Sequence, residues 1–149
     1  MTQHDFQDTF LSVGELFSQS ARWCFAAERS VRDHSHEVDT PYTEAMALIA
    51  DTEHGLAKEL EKCAESAPQE LVNTRVQYTT HRKPPPTANT LSEALTTMMQ
   101  VNRQLSQTLQ GLIKKSAPGP VRETIDTLYQ NIDHINKKIS MIHLTVRDI

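Results

Sequence analysis

Glycine is scarce in this chain of 149 residues: there are 4, and the 7 prolines gather mostly in connectors. So little turn chemistry argues against sheets and favours an all-α fold. Cysteine is rarer still. Two cysteines cannot build a disulfide framework, so the expected setting is reduced and cytoplasmic. No apolar run approaches the ~18 residues of a membrane span, and the polar, acidic start does not read as a secretory signal. No membrane association is expected. Nor is there a dense stripe of Lys and Arg interleaved with aromatics, which removes nucleic acid from the expected partners.

Catalytic constellations are missing too. There is no glycine-rich phosphate loop, no Cys-x-x-Cys, no Gly-x-Ser-x-Gly elbow and no His-Glu-x-x-His pair. No catalytic residue and no cofactor can be assigned, and the chain reads as a non-enzyme. The net charge of −4 is divided unevenly. Residues 1–66 hold 5 Lys/Arg against 13 Asp/Glu, and residues 67–149 hold 10 against 6, giving −8 and +4. Opposite signs favour docking of the two halves, or contact between copies.

What the chain does have is apolar residues at helical spacing. Val121, Ile125, Leu128, Ile132, Ile135, Ile139, Ile142 and Val146 recur in alternating steps of four and three, on one face of a helix. Eight consecutive apolar seam positions leave no room on this helix for an inward catalytic or metal-binding group. Three more such stretches precede it, so the length of the chain fits one helical-bundle domain, 1–149. The helices are predicted at about 5–32, 41–66, 90–116 and 120–147. Thr40 and Pro41 make a cap and first residue for the second, and Thr90-Leu-Ser-Glu93 is a capping box for the third. Pro120 opens the fourth. Residues 67–88, with an extended stretch near Val72 to Tyr78 and polyproline at Pro84–Pro86, are read as a crossover that leaves helices two and three parallel.

Four helices with one long connection between the second and third resemble the ferritin-like superfamily, on architecture and not on a motif. The resemblance implies carboxylates on helices one and three and Glu-x-x-His pairs on helices two and four, converging at mid-bundle. At that level the chain offers Ser20 and Ala21, Glu53, Asn102, and Ile135 with Asn136. Only Glu53 matches, and Leu56 stands where its histidine would be. A dinuclear centre is therefore not expected. Glu28, Glu53 and His143 are the candidates for a reduced or mononuclear metal site. The competing reading makes Glu53, Asn102 and Asn136 a buried polar layer that fixes helix register.

Two surfaces are candidates for recognition. The first helix is apolar over more than its seam, with Leu16, Trp23 and Ala27 on a second face. That face either packs between two neighbouring helices or forms a homodimer interface. In the crossover, Arg75, Tyr78, His81, Arg82 and Lys83 combine cations with an aromatic and are candidates to bind a protein partner, or else simply solvate the strap. The function expected is that of a non-catalytic helical bundle acting through self-association, as a dimer, or through partner binding. The alternative is a ferritin-like metal-binding protein.

Overall fold

A computed structural model describes residues 10–66, 69, 75–77 and 87–147. The chain is an all-α four-helix bundle made of α1 (Val13–His34), α2 (Thr40–Ser66), α3 (Leu91–Lys115) and α4 (Pro120–Arg147). A short 3₁₀ turn (Ser35–Glu37) joins α1 to α2. Two three-residue strands, β1 (Phe10–Ser12) and β2 (Arg75–Gln77), pair antiparallel with Ser12 opposite Arg75.

The helices start where local chemistry can satisfy their first N–H groups. Ser12 caps α1, its Oγ accepting from the Glu15 N–H at 3.1 Å. This corrects the predicted start near residue 5: residues 10–12 are extended, and residues 5–9 lie outside the described set. Ser12-Val-Gly-Glu15 has Ser and Glu at capping-box spacing, a stop to the upstream apolar pattern that phenylalanine periodicity obscures. α2 begins one residue early, with the Asp39 carbonyl accepting from Tyr42 and Thr43. The Thr90 box forms as expected: its Oγ1 accepts from the Glu93 N–H at 3.1 Å, and Glu93 Oε2 accepts from the Asn89 N–H at 2.7 Å. Between α3 and α4, Gly119 holds φ at +154°, a conformation that side chains disfavour, and so lets the chain reverse between Pro118 and Pro120.

Packing forms a square. α1 lies against α2 and α3, and α4 lies against α3 and α2. The 3₁₀ turn meets the start of α3 through Glu37 and Leu91, and Ser92 at that start meets His143 near the end of α4. The beginnings of α2 and α3 therefore share one end of the bundle. These two helices run parallel and stand on a diagonal, which is why a short hairpin cannot join them.

The buried side chains form one contiguous core. Ile125, Leu128, Ile132, Ile135 and Ile139 fill the α4 seam. On α1 burial extends over two faces, because that helix has two close neighbours. Val13, Phe17, Ala21 and Cys24 are buried, and so are Leu16, Trp23 and Ala27. Trp23 keeps only 7 % of its surface exposed within a single chain. The expectation of a dimer interface at Leu16, Trp23 and Ala27 is thereby corrected: a single chain already buries them.

Replacing Trp23 with Ala should accordingly act on folding. We expect a loss of about 3–5 kcal/mol of stability, read in chemical denaturation, with no change of mass in sedimentation.

Candidate functional site

Among the described residues, three buried side chains carry polar or ionisable oxygens into the core: Ser20, Glu53 and Asn102. Two of them meet at mid-bundle. Asn102 Nδ2 on α3 donates to Glu53 Oε1 on α2 at 2.8 Å, across the diagonal of the square. The Cys24 thiol on α1 points to Asn102 Oδ1 at 3.9 Å, a weak contact. Glu53 Oε2 is buried and receives no hydrogen bond. Burial pushes the Glu53 carboxyl up to about 7, the Asn102 amide and Cys24 thiol oppose that shift, and the nearby Glu28 charge adds to it. When the group is neutral, its proton belongs on the oxygen that no donor faces. Burial, with the Glu53 charge beside it, also holds the Cys24 thiol well above its ordinary range. A thiol so placed is inert as a nucleophile.

This cluster does not fit the metal centre that ferritin-like proteins build. That centre takes about four carboxylates and two imidazoles, whereas the mid-bundle layer holds one carboxyl, one amide and one thiol. No group of three His, Cys, Asp or Glu able to hold an ion occurs among the described residues. The three candidate ligands also have separate partners. Glu53 bonds to Asn102, His143 Nε2 lies 3.0 Å from Ser92 Oγ, and Glu28 belongs to an ion-pair network.

That network ties α1 to α2. Glu28 accepts from Arg32 Nε and from His54 Nδ1, both at 2.8 Å, and Arg32 Nη2 reaches Asp51 at 2.7 Å. Burial raises the Glu28 carboxyl, but the hydrogen bonds from His54 and Arg32 outweigh it and leave the group below its ordinary value. The rings of Phe25 and His54 meet in an edge-to-face arrangement, with centroids 5.3 Å apart. Asp51 and His54, at Glu-x-x-His spacing, thus serve the hairpin and do not turn inward.

Asn136 is a partial correction. It leaves the polar layer and donates to the Met99 carbonyl at 3.1 Å, joining α4 to α3, while its Oδ1 stays buried without a partner.

A second polar assembly closes the end of the bundle. His34 Nδ1 lies 2.5 Å from Glu37 Oε2, and Nε2 lies 3.1 Å from the Ala88 carbonyl. Glu37 Oε1 accepts from the Leu91 N–H at 3.0 Å. A carboxylate and a carbonyl can only accept, so this arrangement favours the ring with both nitrogens protonated. The Glu37 bond raises His34 above its ordinary value against some desolvation, helped by the Ala88 carbonyl. Glu37 is lowered first by the Leu91 N–H at the start of α3, then by His34.

Outside the core, α2 and α4 leave a cleft of about 320 Å³ between them. Leu56, Leu128 and Ile135 supply its apolar lining, and Thr52, Gly55, Glu59, Asn131 and His134 the rest. Continuing one stripe along α2 toward its start reaches Leu48, and along α4 toward its end reaches Met141. These are the exposed large apolar side chains of the described residues, at 61 % and 71 %. Each was invisible in the sequence as a surface feature, because only the bundle shows which helix faces stay uncovered.

The crossover candidates receive no test. Arg75 lies in β2, and Tyr78, His81, Arg82 and Lys83 fall outside the described residues. No helix among the described residues is long and apolar enough to cross a membrane. Comparison with protein-family models, curated proteins and solved structures finds no match.

The two polar assemblies give two expectations. Because Glu53 is raised from 4.5 to about 7, its folded form binds a proton that the unfolded chain has released. Its contribution is therefore fully present below pH 4.5 and lost as pH climbs through about 7, by on the order of 3 kcal/mol. Glu53→Gln should flatten this slope, matching or exceeding wild-type stability at pH 8 and falling below it at pH 5, as measured by denaturation at each pH. His34 should show two protonated ring nitrogens in ¹⁵N spectra at neutral pH. Its contribution is complete below about 6.5 and fades as pH rises through its raised value, and the Leu91 amide resonance should titrate with it.

Proposed function

We propose that the chain is a non-catalytic helical-bundle protein that works by association, and that the associating surface is the outer face of α2 and α4. The exposed pair Leu48 and Met141 beside an apolar-lined cleft carries this reading, since apolar side chains grouped with a cleft on one face mark contact surfaces in a way that single exposed ones do not. The closed interior supports it from the other side. Its polar groups are turned on one another at mid-bundle, and the Cys24 thiol has its proton held tightly. Two free, buried cysteines suit a reduced, cytoplasmic setting. The connection from α2 across to the parallel α3 suits a ferritin-like connectivity put to a use other than metal chemistry.

Changing Leu48 and Met141 together to Gln tests the face. Gln keeps helix propensity and adds no charge. We expect melting to change little, while association with a second copy or another protein, followed by sedimentation and native cross-linking, falls sharply. Association undiminished in this variant would remove the α2/α4 face from consideration.

A further inference from the structure

We infer that the occupant of the α2/α4 face is a second copy of the chain, related by a two-fold axis parallel to the bundle, so that α2 of each protomer lies against α4 of its partner. This rests on the association reading above and adds the identity of the partner. The argument is charge register. The cleft sets residues 52–59 of α2 opposite residues 128–135 of the antiparallel α4. By that alignment Leu48 is level with the turn carrying Met141, and Lys62 is level with the turn carrying Glu123. All four are exposed, and each lies on the outward stripe of its helix, at steps of three and four from Gly55 or His134.

A two-fold axis along the bundle preserves these levels while exchanging α2 for α4. It brings Lys62 to Glu123 of the partner subunit and Leu48 to Met141 of the partner subunit, each twice. Opposite charges meet toward one end of the contact and the apolar pair toward the other. The alternative axis, across the helices, would instead lay α2 antiparallel on its own copy, crossing at Gly55. That arrangement sets Lys62 near Leu48 of the partner subunit, a charge against an apolar side chain, and is disfavoured. Size agrees as well. Two helices about 40 Å long and about 10 Å apart present on the order of 800 Å², the area that a stable interface takes from each partner. Gly55 has no atom within 4 Å of where a Cβ would stand, so the neighbouring helix can approach closely there.

Complementary charge reversal tests this without relying on fold. Lys62→Glu places two acids at that contact in its homodimer, and Glu123→Lys places two bases. Each variant alone should weaken self-association at least about tenfold, with melting little changed, since both side chains are exposed. An equimolar mixture should recover most of the affinity, because each mixed pair again joins a base to an acid. Effects confined to one chain could not be rescued by mixing. Sedimentation equilibrium of the singles and the mixture reads the result. A monomeric wild type would overturn the second-copy inference, while leaving the face itself to be judged by the Leu48 and Met141 variant. A wild-type dimer whose charge variants fail to recover on mixing would overturn the proposed arrangement.

Discussion

A hydrogen bond across the diagonal of the bundle, from Asn102 to Glu53, sets the register of everything around it. Apolar seams made of Leu, Ile and Val can slide past one another by a turn at modest cost, because most positions are alike. A buried amide and a buried carboxyl cannot. Shifting α2 against α3 by one turn would leave both groups in the core without partners, at about 1–3 kcal/mol or more for each. The bond joins the two helices that are not neighbours in the square, so it constrains both hairpins at once. Its weakness is the carboxyl oxygen that no donor faces, and this ties the state of the core to protonation.

Polar groups at the end of the bundle divide a related task. Glu37 accepts from the start of α3 and from His34, and His34 also donates to the segment entering α3. One carboxylate and one imidazole ring thus join the α1–α2 turn to the place where the long connection returns. On the α1–α2 side, Glu28 gathers Arg32 and His54, and Arg32 reaches Asp51. His143, a candidate ligand by sequence, and His34 and His54 are used as hydrogen-bonding parts of the scaffold. Outside the core, one face of α2 and α4 carries exposed apolar side chains and charges of opposite sign.

Much of this was legible in the residues. The strict spacing from Ile125 to Ile139, the Thr90 capping box and Pro120 located α3 and α4 nearly to the residue, because caps and apolar periodicity are local properties. Glu53 and Asn102 stood out as interruptions of apolar seams at matching heights, which placed them with Asn136 in one polar layer; Asn136 turns instead to the Met99 carbonyl. The start of α1 was misplaced because Phe6 and Phe10 continue the helical rhythm, whereas Ser12 and Glu15 end it through hydrogen bonds that periodicity does not weigh.

By itself, the sequence determined the number of helices, their apolar stripes, the long connection and the polar pair at mid-bundle. Tertiary structure alone decided what surrounds each stripe. Trp23 is buried on a helix with two close neighbours, Asn136 turns to the Met99 carbonyl because α3 lies there, and Leu48 and Met141 stay largely exposed because α2 and α4 turn them away from the core. Periodicity records which side chains share a face of one helix; which faces meet depends on how four helices divide a limited amount of apolar surface among them.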